Sequence, residues 1–474
     1  MNDLTIDLCP GDGKHLYEQI YEYIKNEIRS GKLRQGEKLP STRLLAQFHQ
    51  ISRSTVGLAY EQLVSEGYVE AIPYRGYFVC EVEELAASGT AETDKTGITE
   101  KADEKDGGCF LDFSPNAIDM TQFPYATWKK ITRNILVDAN SEMFASGSPK
   151  GDRMLRETIG SYLHSSRGVN CEPEQIIIGA GNDYLLLLLE KILGRHVKIA
   201  MENPTYERAY RIFDSFAYRI SPVVMDNGGM RVEELKKSGA DVAYVMPSHQ
   251  YPTGIVMPIG RRMELLKWAS ESENRYLIED DYDSEFRFKG KPVPSLQASD
   301  RTGKVIYIGT FSKAIAPAIR ISYMVLPVSL LRIYEEKCFF YSTTVSRIDQ
   351  RILNEFIEKG HFERHLNRMR KIYREKHDLL LEELRILSDR FFVMGADAGL
   401  HLLLYDRKKH SDRELVRQAA ENGVKVYGLS GTFMEGTNGE NLEEKEKSTV
   451  ILGYAALSEE QIKEGIRRLK KAWE

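Results

Sequence analysis

Apolar side chains recur at every fourth position in the opening segment. In "HLYEQIYEYIKNEIRSG", Leu16, Ile20, Ile24 and Ile28 form one stripe, which predicts an amphipathic helix stopped by Gly31. In "LPSTRLLAQFHQISRSTVGLAYEQLVSEGYV", Ser41 is placed to cap a second helix carrying Leu44, Leu45 and Phe48. Ser52 is placed to cap a third carrying Val56, Tyr60 and Leu63. After Gly67 the period shortens to two, and "YVEAIPYRGYFVC" reads as a small β-hairpin with Arg75 and Gly76 at its tip. From about residue 110 the pattern changes again. Apolar runs such as "QIIIG", "VKIAM", "DVAYVMP" and "RYLIEDD" alternate with helical segments, the form taken by a mainly parallel sheet covered on both faces by helices, an α/β fold. "SEEQIKEGIRRLKKAW" reads as a closing helix, with Ser458 and Gln461 spaced for a capping box.

Between these two patterns the apolar signal fails. Residues 81–109 carry nine acidic and three basic side chains and few large apolar groups, so they bury too little surface to offset their ordering entropy. The expected organisation is therefore an N-terminal unit over 1–80, a flexible acidic linker over 81–109 and a large unit over 110–474. Its 474 residues exceed what one ordinary core supports, and 42% hydrophobic with 28% charged residues is a globular composition. Five cysteines without CxxC spacing predict reduced thiols, no disulfide framework and no metal site. The longest aliphatic run, "YLLLLLEKIL", is interrupted by Glu190 and Lys191 and too short to span a bilayer, and no leader pattern opens the chain. Both point to a cytoplasmic protein with no membrane partner.

A net charge of −5 gives no overall basic field, so nucleic-acid binding needs a local patch. Residues 25–53 supply one, with seven basic against two acidic side chains. Two short helices joined by a tight turn make a helix-turn-helix, whose second helix enters a major groove about 12 Å wide. Ser41, Thr42 and Arg43, the exposed first turn Arg53, Ser54 and Thr55, and the hairpin tip Arg75 and Gly76 are the candidate DNA contacts. The pattern alone also admits a small helical dimerisation or docking module. The spaced motifs "LYEQIYEYIKNEI", "GEKLPSTRLLAQ", "SRSTVGLAYEQLVSEGYV" and "RGYFV" resemble the winged helix-turn-helix of the GntR class of bacterial repressors over nearly all of residues 14–80. Gly57 departs from that class, which carries a larger residue in the recognition helix.

In the large unit, "IYIGTFSKAIAPAIRISYMVLP" ends a strand and then presents Thr310, Ser312, Lys313 and Arg320. On its own, Lys313 reads as an ordinary surface lysine in a turn. Other strand ends change the picture: "YLIEDDYDSEFR" ends in Asp280 with Tyr282 two residues on, "SHQYPTG" follows "DVAYVMP", and "IIIGAGNDYL" ends in a glycine-rich turn at a helix start. Ligands of open α/β sheets bind at such carboxyl ends. An amine for a Schiff base, a carboxylate for a ring nitrogen, and amides with an arginine for a phosphate are what pyridoxal 5'-phosphate requires.

Residues 110–474 resemble the fold-type I aminotransferases, and their fusion behind a GntR-like module resembles the MocR family of transcriptional regulators. The resemblance implies that Lys313 forms the internal aldimine, Asp280 pairs with the ring nitrogen, and Tyr282 bonds the ring's phenolic oxygen. It further implies Tyr251 at the place of the usual asparagine, Tyr206 stacked on the ring, and the phosphate held by the backbone of Ala180 and Gly181 with Thr310, Ser312 and Arg320. Arg208 is the candidate for an effector carboxylate. The implied function is a DNA-binding regulator that senses a small amine or amino acid by displacement of Lys313. Its partners would be operator DNA and RNA polymerase, and its assembly a head-to-tail, domain-swapped homodimer.

Two residues depart from the aminotransferase pattern. Where those enzymes carry an arginine for the substrate carboxylate, "STVILGYAAL" has Val450 and Ile451, and Phe144 stands where a tyrosine reaches the partner subunit's cofactor phosphate. Both weigh against efficient transamination. A working aminotransferase with a DNA-binding arm and a cofactor-free scaffold are the competing functions.

Overall fold

The computed structural model describes residues 6, 8, 14–81, 110–137, 141–288, 293–396, 398–434 and 447–474. The chain divides into two compact units, Met1–Lys105 and Asp106–Glu474. Of the expected linker, all but Glu81 lies outside the described residues.

In the first unit, helix α1 (Leu16–Arg29) buries Ile20, Ile24 and Ile28, and Gly31 at φ 72° lets the chain reverse after it. Helix α2 (Thr42–Phe48) is capped by Ser41, whose hydroxyl accepts from the Leu44 amide at 3.2 Å. Helix α3 (Arg53–Ser65) is capped by Ser52, which accepts from the Thr55 amide at 3.1 Å. Val56, Ala59, Tyr60 and Leu63 form its fully buried face. The Tyr60 hydroxyl reaches back to the Pro40 carbonyl at 3.0 Å, fixing α3 against the start of α2. Of the three apolar residues expected on α2, Leu45 is buried, with Ala46 beside it, whereas Leu44 and Phe48 are 52% and 54% exposed. A seven-residue helix turns fewer than two full turns toward its neighbours, so only one narrow edge is covered. Strands β1 (Val69–Ile72) and β2 (Gly76–Val79) pair antiparallel as the hairpin.

The second unit begins with β3 (Leu111–Asp112) and two helices, α4 (Tyr125–Val137) and α5 (Arg153–Arg167). Its main sheet is built from β4 (Ile176–Gly179), β5 (Lys198–Asn203), β6 (Arg219–Asp226), β7 (Gly229–Met230), β8 (Val242–Val245), β9 (Tyr276–Asp281), β10 (Val305–Thr310) and β11 (Ser322–Val325). The spatial order is β4-β11-β10-β9-β8-β5-β6-β7. β10, β9, β8, β5 and β6 run parallel, β4 shares their direction, and β11 runs against them. Alternation explains the continuous apolar runs. Ile177, Ile278, Ile306 and Ile308 face α6 (Asn182–Leu193) and its Leu185 and Leu189, while Ile176, Ile178 and Tyr307 face the Leu155, Ile159 and Leu163 side of α5.

Near the carboxyl end, a second, four-stranded antiparallel sheet includes His401–Asp406 paired with Thr449–Gly453. The helix Glu459–Trp473 closes the chain, and Ser458 and Gln461 form the expected capping box. Among the described residues no helix is long and apolar enough to cross a membrane.

Candidate functional site

Every strand end singled out by the sequence opens on one cavity. It is lined by Asn182 and Asp183 after β4, Tyr206 and Arg208 after β5, Tyr244 and Tyr251 from β8 and the loop beyond it, Asp280 and Tyr282 from β9, and Thr310, Ser312, Lys313 and Arg320 after β10. Parallel register places Asp280 beside Ile308, so the carboxylate and the turn bearing the lysine are neighbours at the same sheet edge.

The acidic run 279–285 is sorted by strand alternation. Glu279 turns away from the cavity and accepts the amides of Leu296 and Gln297 at 2.7 and 2.9 Å. Asp281 pairs with buried Arg167 at 2.9 Å and accepts the Tyr307 hydroxyl at 2.6 Å, which anchors the end of β9. Asp280 alone faces the cavity, where the Tyr244 hydroxyl donates to it and Asn182 Nδ2 lies 3.4 Å away. Among the described residues no cation pairs with it. Burial, reinforced by Asp281 and Asp283, pushes its carboxyl up to about 7.

Lys313 Nζ donates to the Pro115 carbonyl at 3.1 Å and approaches Asn116 Oδ1 at 3.4 Å. Burial brings its ammonium down to about 8, because the charged form loses water that no carboxylate fully replaces. Ser312 Oγ is buried without a hydrogen-bond partner, and Thr310 Oγ1 accepts from Ser322 Oγ at 2.9 Å.

Arg320 lies against the glycine turn: a Cβ on Gly181 would fall 2.2 Å from its Nη2, and Gly181 has φ +90°. Arg320 pairs with Asp183 at 3.2 Å, and Arg208 shares that carboxylate. The backbone donors expected here are rearranged. The Ala180 amide donates to Thr344 Oγ1 at 3.0 Å and the Gly181 amide to the Gly179 carbonyl at 2.8 Å. The amides without a helical acceptor begin at Asn182, the first residue of α6.

The aromatic wall is Tyr206 and Tyr251, edge to face at 5.6 Å, with Tyr282 edge-on to Tyr251 at 6.2 Å. Behind them the Tyr282 hydroxyl and His249 Nδ1 are 2.9 Å apart, and His249 pairs with Asp283 at 2.9 Å. Sequence reasoning missed this support, together with Asn182, Asp183, Tyr244 and Asn116. The "SHQ" preceding "YPTG" and the "D" of "YDSE" carried the signal for His249 and Asp283. Val450 and Ile451 are buried in the second sheet, where Ile451 packs on Leu403 and Leu429. Phe144 is 71% exposed.

On the first unit, Arg43, Arg53, Ser54 and Arg75 are exposed, and Thr42 and Thr55 are half-buried. Arg53 Nε donates to Thr42 Oγ1 at 3.3 Å, which ties the starts of α2 and α3 together. Arg75 and Lys38 both lie over the Phe78 ring, at 5.7 and 5.8 Å, so two cations meet at one residue of the hairpin. Ser41 is committed to its helix cap.

Comparison with known proteins matches these two geometries separately. Residues 16–79 match the bacterial regulatory proteins of the gntR family, and residues 111–469 match aminotransferase class I and II. The chain is 40% identical over 97% of its length to the HTH-type transcriptional regulator YdeL of Bacillus subtilis, covering 96% of that protein. It is 30% identical over 97% of its length to the probable rhizopine catabolism regulatory protein MocR of Rhizobium meliloti, covering 94% of it. The chain belongs to the MocR family of transcriptional regulators. As in that family, a GntR helix-turn-helix precedes an aminotransferase-like unit. Among solved structures, the MocR-type second unit resembles LysN, the α-aminoadipate aminotransferase of Thermus thermophilus, complexed with N-(5'-phosphopyridoxyl)-L-leucine. That similarity has a TM-score of 0.67 at 26% identity, over 77% of this chain and 92% of that one.

Proposed function

We propose that this regulator binds operator DNA through residues 1–80 and reads a small amine or amino acid through pyridoxal 5'-phosphate held at Lys313 in residues 110–474, with residues 81–109 as the tether. The observation that carries the reading is one cavity holding a buried carboxylate without a cation (Asp280), a half-buried amine brought down to about 8 (Lys313), and a buried hydroxyl without a partner (Ser312). Each lacks what the cofactor offers: a ring nitrogen that carries a proton, an aldehyde and a phosphate.

When bound, the cofactor supplies an aldehyde carbon that amines capture reversibly. Asp280 holds the proton on the ring nitrogen, and that cation in turn draws the carboxyl back toward its ionised form. Tyr282, steadied by His249 and Asp283, would bond the ring's phenolic oxygen, and Tyr206 would stack on the ring. Arg320, Ser312, Thr310 and the first amides of α6 take the phosphate. Arg208 offers a guanidinium for a ligand carboxylate by leaving Asp183. Lys313 would supply the amine that holds the aldehyde, and whenever that amine is free the carbonyl of Pro115 is its partner, as in this structure. Val450 and Ile451 offer no grip for an α-carboxylate, which favours sensing over turnover. Exposed Phe144 fits a head-to-tail homodimer in which that segment meets a second copy.

The test is borohydride treatment of protein incubated with pyridoxal phosphate, followed by peptide mass spectrometry. A reduced pyridoxyl group on Lys313, and its absence in Lys313→Ala, is the expected result. A tag elsewhere, or none, refutes the reading. Absorbance titration with amines and amino acids, repeated with DNA present, then tests sensing: compounds that perturb the chromophore must also change DNA affinity.

A further inference from the structure

The outward face of α3 is unlike a phosphate-binding surface. Residues at helical spacing, Ser54, Gly57, Leu58 and Glu61, share the side opposite Val56, Ala59, Tyr60 and Leu63. Leu58 is 53% exposed, so it adds little to the core beneath it. Gly57, next to it, is surrounded by open space: an added Cβ would meet nothing within 4 Å. The same unit carries the cations a duplex requires, Arg43 and Arg53 at the helix starts, Arg75 in the hairpin and Lys38 against the hairpin's Phe78.

Base edges in the major groove display donors and acceptors, and one apolar group, the 5-methyl of thymine. A leucine presented on the recognition helix finds a matching surface there and nowhere else in the groove. Glycine beside it removes the side chain that would hold the helix axis away from the groove floor. Resting on the operator-binding reading, we propose that Leu58 determines sequence specificity by packing on thymine methyl groups, and that Gly57 permits the close approach this contact needs.

The experiment uses the full chain to select duplexes from a randomised library, then resynthesises the selected site with deoxyuridine in place of each thymidine, which deletes only the methyl. At one or two positions per half-site the native protein should bind about fourfold more weakly, the equivalent of one buried methyl-sized group. Leu58→Ala should bind the thymidine site about as weakly as the native protein binds the uridine site, and should be indifferent to the exchange. Gly57→Leu, which the open space accommodates, should lose affinity for the selected site while keeping its affinity for random duplex. Native protein indifferent to uridine at every position overturns the proposal. So does Leu58→Ala weakening selected and random duplexes alike, as an interface with another protein surface would. Failure to select any duplex overturns operator binding itself, and this inference with it.

Discussion

Replacing Asp280 by asparagine should make the cofactor-free protein more stable while depriving it of its ligand. The carboxyl is raised from 3.8 to about 7, chiefly by burial, a shift of about 3 units. At about 1.36 kcal/mol per unit, the ionised form costs at most about 4 kcal/mol. The sign follows from proton linkage. Between pH 3.8 and about 7 the folded state binds the extra proton, so stability falls as pH rises through that window, and the full penalty is present above it. Asparagine is neutral throughout and keeps the shape. Its oxygen can accept from Tyr244, and its amide can meet Asn182 Oδ1, which is buried without a partner.

For a unit spanning Asp106–Glu474, an unfolding entropy near 2.1 cal/mol/K per residue gives about 0.8 kcal/mol/K, so the gain is at most about 5 °C in Tm. The three tryptophans, Trp128, Trp268 and Trp473, all lie in that unit, so fluorescence melting reports it alone. The gain should be seen at about pH 8.5 and vanish near about pH 4, where the native carboxyl is protonated as well. Adding pyridoxal phosphate at the higher pH should favour the native protein over the variant. An equal gain at both pH values, or none at the higher, would refute the reasoning.

Gly181→Ala puts a Cβ 2.2 Å from Arg320 Nη2 at φ +90°, so pyridoxal phosphate affinity should fall at least about tenfold in an absorbance titration, and unchanged affinity would count against the phosphate end assigned here. Asp183→Asn frees Arg320 and Arg208 from their shared carboxylate and should tighten binding of the cofactor by up to about fivefold, the scale of an exposed ion pair; weaker binding would show that the pairing positions the arginines instead. Labelling of Lys313 by an acylating reagent, followed by mass spectrometry of the cofactor-free protein, should rise to about pH 8 and then level off, whereas exposed lysines keep gaining reactivity toward their ordinary value near 10.5.

The sheet was legible because buried parallel strands must be apolar on both faces, and "QIIIG", "DVAYVMP" and "RYLIEDD" had little else to be. The candidate pocket residues were legible for a related reason: polar groups at the ends of such runs have few other places to go. Position along the chain gave less help wherever a role depends on a distant partner. Nothing near Asp183 announces that it receives Arg208 and Arg320, and nothing near Ala180 announces that its amide is taken by Thr344, more than a hundred residues later. The error at Leu44 and Phe48 has the same origin. Periodicity says which residues share a face of α2, whereas the packing of α3 decides which face is covered.

The backbone of Ser114 and Pro115 passes so close to Gly453 that a Cβ there would lie 2.1 Å from the Ser114 carbonyl oxygen, and Lys313 bonds the Pro115 carbonyl of this same stretch. The stretch also follows β3 directly. A change in what Lys313 bonds would therefore fall on a strip of backbone to which Gly453 leaves no room to give way, so that strip could not absorb it in place.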